Sequence, residues 1–185
     1  MIARSLECRL RRIEDRNEIA DLQARYTLAI DLHDLATVAP LFATEGRFRS
    51  ADEVMDATGR DAICAQYRTR FAVLGFAFHV THDHLIELDP VDPDRASGTV
   101  SSHAEVVRNG QPMLVAMRYA DRYCREDGAW RFADRLLRFL YYLPLADYAQ
   151  AIATRDRMRA YGDARPADLP EGAATFGANK KDDDA

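Results

Sequence analysis

A chain of 185 residues, 48% hydrophobic and 30% charged, is long enough for one domain with a real core and has an ordinary globular composition. Its formal net charge of -5 argues against a nucleic-acid or anionic-membrane partner, both of which select for a basic face. No apolar run approaches the length of a membrane span and the N-terminus has no secretory h-region, so a soluble, cytoplasmic protein is expected.

From Ile13 to His33, apolar residues recur at helical spacing (Ile19, Leu22, Tyr26, Ala29, Ile30), with charged residues filling much of the remainder. The arginines crowded before and into this run (Arg4, Arg9, Arg11, Arg12, Arg16) read as a solvated helix face. A short helical run follows from Asp34 to Phe42. Thr44-Glu45-Gly46 breaks it, and Arg47 to Ser50 reads as a brief strand. After Gly59-Arg60-Asp61, a helix is expected from Ala62 to Leu74, with Ile63, Tyr67, Phe71 and Leu74 on one face. His84 to Leu88 reads as a strand, ended by the turn-forming Asp89-Pro90-Val91-Asp92-Pro93-Asp94.

Three further strands, about Thr99 to Val107, Met113 to Tyr123 and Trp130 to Tyr142, are joined at Asn109-Gly110 and Asp127-Gly128, both strong hairpin signals. A last helix is expected after Leu145, carrying Tyr148, Ile152 and Met158. From Gly162 onward Gly, Pro, Ala and Asp dominate, so 1–161 is expected to form the domain and 162–185 a disordered tail. Helices first and an antiparallel meander last is the α+β pattern; a sheet curled around the helices leaves a blind-ended pocket.

Cys8, Cys64 and Cys124 are an odd, widely spaced set with no C-x-x-C pair, which fits reduced thiols and neither a disulfide framework nor structural zinc. Chemistry is more legible elsewhere. Tyr26 and Asp31 end the first helix about 140° apart around it, so they border a pocket at the helix end or are a core-edge phenol and a solvent-facing acid. Asp31 stands near a helix C-terminus, where the macrodipole disfavours negative charge; that placement favours a functional role or a cationic partner.

His79, His82 and His84 form H-x-x-H-x-H, but strand alternation sets His82 and His84 opposite His79, and no further carboxylate or thiol ligands accompany them; no metal is expected. His103 falls on the polar parity of its strand, away from Val100, Ser102, Ala104 and Val106, unless a bulge intervenes. Arg138 shares parity with Trp130, Phe132, Leu136, Leu140 and Tyr142; Arg135 has the opposite parity. A cation among apolar residues needs a partner, either an acidic or developing oxyanionic group of a substrate or the neighbouring Asp134.

Ile19-Ala20-Asp21-Leu22 with Tyr26 and Asp31, Phe78-His79-Val80-Thr81-His82, Asp127-Gly128-Ala129-Trp130-Arg131-Phe132 and Tyr141-Tyr142-Leu143-Pro144-Leu145 resemble the SnoaL-like branch of the nuclear-transport-factor-2-like superfamily. The likeness extends over about residues 10 to 145. It implies a cone-shaped α+β barrel, a curved and mostly antiparallel sheet wrapped around N-terminal helices, often as a homotrimer or homodimer and without metal or organic cofactor. The pattern is similar to that of the family's lyases: bile-acid dehydratase, scytalone dehydratase and hexachlorocyclohexane dehydrochlorinase. By that resemblance Asp31, His79 and Tyr26 are catalytic, and Arg138, Arg135 and His82 contact substrate. Arg135 matches the arginine of the dehydrochlorinase and Arg138 that of the bile-acid enzyme. Ile30, where scytalone dehydratase has tyrosine, and Asp83, where many members have asparagine, depart from the pattern and argue against scytalone as substrate.

The expected activity is a dehydratase-type elimination from a hydrophobic cyclic small molecule. An isomerase or cyclase using the same proton abstraction, and a non-catalytic ligand-binding or accessory subunit, are the alternatives, because the superfamily houses all of these.

Overall fold

Ser5 opens helix α1 (Leu6–Asp31), its hydroxyl accepting the Cys8 backbone N–H at 3.2 Å. The computed structural model describes residues 5–178. The helix begins two turns earlier than the apolar periodicity suggested. Those turns carry the arginine cluster and bury little, leaving Leu6, Leu10 and Ile13 exposed. Packing starts at Asp15 and continues through Ile19, Leu22, Gln23, Tyr26, Ala29 and Ile30, one stripe at 3- and 4-residue intervals. His33 then takes a left-handed φ of 55°, and Asp34 caps a single turn, α2 (Leu35–Val38), by accepting from the Thr37 N–H. A 3-10 turn at Ala39–Leu41 completes what reads in sequence as one short helix.

Strand β1 (Phe42–Ser50) starts earlier than expected and absorbs Thr44-Glu45-Gly46 as an irregularity. Gly46 is required there: a Cβ would stand 2.8 Å from the Phe132 carbonyl oxygen and 2.9 Å from that of Ala43. A three-residue strand, β2 (Asp56–Thr58), has too little pattern to be read in sequence. Helix α3 (Arg60–Phe71) follows. Then come four long strands: β3 (Leu74–Leu88), β4 (Arg95–Arg108), β5 (Gln111–Glu126) and β6 (Ala129–Pro144). Strand β3 is three times the length of its expected core, because its first half mixes histidines with exposed Phe76 and Phe78 and shows no clean alternation. At the two tight hairpins Asn109 and Gly110 have φ of 49° and 77°, Asp127 and Gly128 φ of 51° and 77°, the paired positive values of type I′ turns.

The six strands form one sheet in the order β2-β1-β6-β5-β4-β3, antiparallel except where β1 runs parallel to β6. The fold is thus α+β, a curved mixed sheet that is not closed, with α1 packed on its concave side against β3 and β6. Bulges supply the curvature. Two lie on β3, between Leu74 and Ala77 and between Thr81 and His84. Two lie on β6, where Ala133 and Leu140 are extra residues against β5.

A bulge reverses side-chain parity, and those between Thr81 and His84 and on β6 correct expectations. On β3, His84 opposes Val100 as His79 opposes Ala104, so both histidines face inward. On β6, Phe132 is inward, but beyond Ala133 the inward residues are Arg135, Leu137 and Phe139, which turns Arg138 out to solvent. The chain after β6 also departs from the expected long helix. Among the described residues it holds a 3-10 turn at Leu145–Asp147 and one α-helical turn, α4 (Tyr148–Ala151). Met158 bridges to Tyr142 and Arg165, and Asp168 and Leu169 hydrogen-bond the Phe139 backbone. Residues 162–171, expected to be disordered, instead bury Ala167 and Leu169 against β6, held by Arg157, which reaches the Leu140 and Leu169 carbonyls and the Glu171 carboxylate. The end of the expected tail, 179–185, lies outside the described residues. Among the described residues no helix is long and apolar enough to cross a membrane.

Candidate active site

The last turn of α1 and the first half of β3 bring Asp31 and His79 together. His79 Nδ1 lies 2.6 Å from Asp31 Oδ1, and the His79 backbone N–H donates to Asp31 Oδ2 at 3.0 Å. One carboxylate thus holds both the ring and the main chain of the histidine. Both side chains are 15% exposed, which shields the pair without sealing it. An Nδ1–H donated to the carboxylate puts the lone pair of the neutral imidazole on Nε2, the arrangement of a base.

His79 borders a cavity of about 50 Å³ enclosed by α1, α3 and the concave face of the sheet. Tyr26, Tyr67, Tyr119 and Tyr142 face it, with Ile30, Val106, Val115 and Met117 completing an apolar surround. Such a volume holds a few waters, and a ring substrate needs the wall to open. Of the lining residues, only Arg70, Phe71, Leu74 and His79 keep solvent exposure, so the mouth lies between the C-terminus of α3 and the start of β3. A larger surface hollow of about 360 Å³ lies between the N-terminus of α1 and the β3–β4 turn, but it contains neither a histidine nor a tyrosine.

Tyr26 is buried and its hydroxyl is hydrogen-bonded to that of Tyr67 from α3. Burial, and then the neighbouring Tyr26, push the Tyr67 phenol well above its ordinary pKa, so it stays a neutral O–H at physiological pH. In sequence Tyr67 shows only as one residue of a helical core face. Its pairing was invisible because it joins residues 41 apart.

Arg135 has no exposed surface and does not line the cavity. Its guanidinium makes a two-point contact with Asp121, both at 2.9 Å, and hydrogen-bonds Gln23. The rings of Tyr26, Tyr119 and Phe132 stand 4.0–4.2 Å from its central carbon. Burial works against the charge, but the Asp121 carboxylate and the surrounding phenols outweigh it and raise the pKa. Asp121 also accepts from Tyr123, whose oxygen lies 3.1 Å from His84 Nε2. Arg135, one of the two arginines expected to touch substrate, therefore stands behind Tyr26 and Tyr119 and meets the cavity only through their rings.

Arg138 and His82 face away from the cavity. Arg138 is exposed, and Asp134 pairs with Arg49 at 2.9 Å. His82 is on the outer face of β3, 2.6 Å from His103 Nδ1, and His103 keeps the outward parity read from its sequence. The three histidines of the β3 segment thus go to three different partners: Asp31, His103 and Tyr123.

The SnoaL-like domain model matches residues 11–136 of the sequence. The chain belongs to the SnoaL-like domain family. Solved structures agree on the nuclear-transport-factor-2-like cone that this family shares. A hexachlorocyclohexane dehydrochlorinase, LinA type 2, superposes with a TM-score of 0.67 at 19% identity, over 74% of this chain and 92% of that one. A scytalone dehydratase-like protein from Novosphingobium aromaticivorans DSM 12444 gives 0.66 at 20%, over 72% and 89%. Rv3472 from Mycobacterium tuberculosis, a protein of unknown function, gives 0.62 at 28% identity, over 76% and 79%. No curated protein sequence matches the chain. At these identities the likeness to LinA and to the dehydratase-like protein carries the fold, and the chemistry of this SnoaL-like chain rests on its own site.

Proposed function

We propose that this SnoaL-like protein is a cofactor-independent lyase that eliminates a leaving group, water in the simplest case, from a hydrophobic cyclic small molecule. The observation that carries the reading is the 2.6 Å contact between His79 and Asp31 at the edge of an apolar, phenol-lined cavity. His79 Nε2 takes a proton from carbon, and the C–H electron pair forms the new double bond. The leaving group departs with its own bonding pair and takes a proton from the Tyr26–Tyr67 hydroxyl pair. Asp31 stabilises the imidazolium through Nδ1. General acid/base transfer of this kind contributes typically 10²–10⁴-fold. The named activities of LinA and the dehydratase-like protein, both eliminations, support the reading.

The test is turnover of a panel of cyclic hydroxy-ketones, with products identified by mass spectrometry. Loss of the elements of water by the wild type and not by His79→Gln is the expected result. The absence of elimination across the panel while ligands still bind would leave the non-catalytic reading. An isomerase is the second reading, favoured by the enclosure of base and phenols, which would hold an abstracted proton for return. Substrate deuterium recovered at a second carbon of the product, with no loss of mass, decides for it.

A further inference from the structure

Among the described residues, Arg70 is the one arginine or lysine lining the cavity. It sits in the last turn of α3, where the helix dipole accommodates positive charge. That accounts for a cation at this end of the helix, but not for its position in a wall otherwise made of aromatic and aliphatic groups. The other arginines of β1 and α3 that enter ion pairs have carboxylates close by: Arg47 with Asp56, Arg49 with Asp134, Arg60 with Glu126. Arg70 has no carboxylate within 4.0 Å among the described residues, and its guanidinium reaches only the Met55 thioether, a weak acceptor. Asp52 accepts from the Ser50 hydroxyl and the Val54 N–H through Oδ1, and neither of its oxygens forms an ion pair with Arg70. A half-buried cation facing an apolar cavity without an anion is costly unless something else supplies one.

We infer that the substrate carries an anionic group, a carboxylate in the simplest case, that seats against Arg70 at the mouth while its ring occupies the cavity beyond. The geometry orders the parts. Arg70 and His79 both border the opening, whereas Tyr26, Tyr67 and Tyr119 are buried behind it. A ring entering first meets the phenols and leaves its charged substituent at the rim. The Arg70 charge works to lower the pKa of the lining phenols Tyr67, Tyr119 and Tyr142, as a cation in the same cavity wall should. Guanidinium is suited to this task, since its planar fork meets a carboxylate at two points.

The inference rests on the reading of this cavity as the substrate site, and a binding measurement separates the two. Benzoate and the neutral, nearly isosteric benzamide are titrated against the full chain by NMR chemical shift. Benzoate is expected to bind at least about tenfold more tightly, as for a charge-assisted contact. Arg70→Gln should erase the preference, Arg70→Lys should retain part of it, and Arg68→Gln, an exposed arginine on the same helix, should leave it whole. A preference that persists in Arg70→Gln, or the lack of one in the wild type, overturns the inference, even if His79-dependent turnover of neutral rings upholds the lyase. An Arg70-dependent preference in a protein without turnover upholds the inference and removes the lyase.

Discussion

His79 Nδ1 meets Asp31 Oδ1 at 2.6 Å while the second carboxylate oxygen holds the histidine's own backbone N–H. The acid therefore fixes tautomer, ring rotation and strand position together. Asp31→Asn tests this without changing size. An amide that donates to Nδ1 moves the ring proton to Nε2 and removes the basic lone pair; an amide that accepts from it supplies no charge to the imidazolium. Turnover is expected to fall about 10²–10⁴-fold, with a smaller change in KM. Urea denaturation checks that the fold persists. Wild-type turnover by Asp31→Asn would exclude the pair as the base.

The Tyr26–Tyr67 pair is expected to behave as one unit. Tyr26→Phe and Tyr67→Phe each leave a buried hydroxyl without its partner, at a cost of about 1–3 kcal/mol in stability. Each should also reduce kcat, because the pair can no longer pass a proton to the departing group. The double variant is expected to be less harmful than the two single costs added, since no orphan hydroxyl remains. Full additivity in kcat and stability would show that the two hydroxyls act independently.

The Asp-His pair was legible in sequence because Asp31 sits where a helix end disfavours it, and because the segments of Asp31 and His79 resemble those of the family. The α+β order and the two I′ hairpins were legible from Asn109-Gly110 and Asp127-Gly128, where backbone sterics alone demand those residues. Which arginine points inward was not. Parity along β6 is a two-state alternation, and single extra residues at Ala133 and Leu140 invert it with no compositional mark, exchanging Arg138 for Arg135. The same blindness put His84 on the wrong face of β3. Segment 162–171 read as disordered because Gly, Pro and Asp dominate it. Its order comes from backbone hydrogen bonds to Phe139 and from Arg157, neither of which leaves a periodic pattern.

Arg135 and Asp121 form a fully buried ion pair, and removing one partner strands the other's charge. Arg135→Met and Asp121→Asn are each expected to destabilise the protein by about 3–5 kcal/mol, and Arg135→Met/Asp121→Leu by less than the sum of the single costs. Urea-denaturation midpoints measure all three. Because Arg135 lies against the Tyr26 ring, Arg135→Met should also lower kcat more than it raises KM. An Arg135→Met protein as stable as the wild type would contradict the buried pair.

His84 gives the protein a dependence on pH that is separate from catalysis. Burial lowers its pKa below the usual 6.5, opposed by Asp121 and reinforced by Arg135 and Arg16. The neutral ring donates its Nε2–H to the Tyr123 oxygen, which in turn donates to Asp121. A folded-state pKa below the unfolded value means that the unfolded chain takes up the proton first as pH falls. The stability that His84 contributes is therefore complete above its unfolded pKa of about 6.5 and is lost as pH drops through its folded value. Outside the pocket, His103 is shifted down by burial and by His82, and works in the same direction. The measurement is thus a difference: melting temperature recorded from about pH 8 to about pH 5 for wild type and His84→Gln. The wild type is expected to lose more stability over that interval. Parallel curves would assign the acid sensitivity to other groups and leave His84 without a part in it.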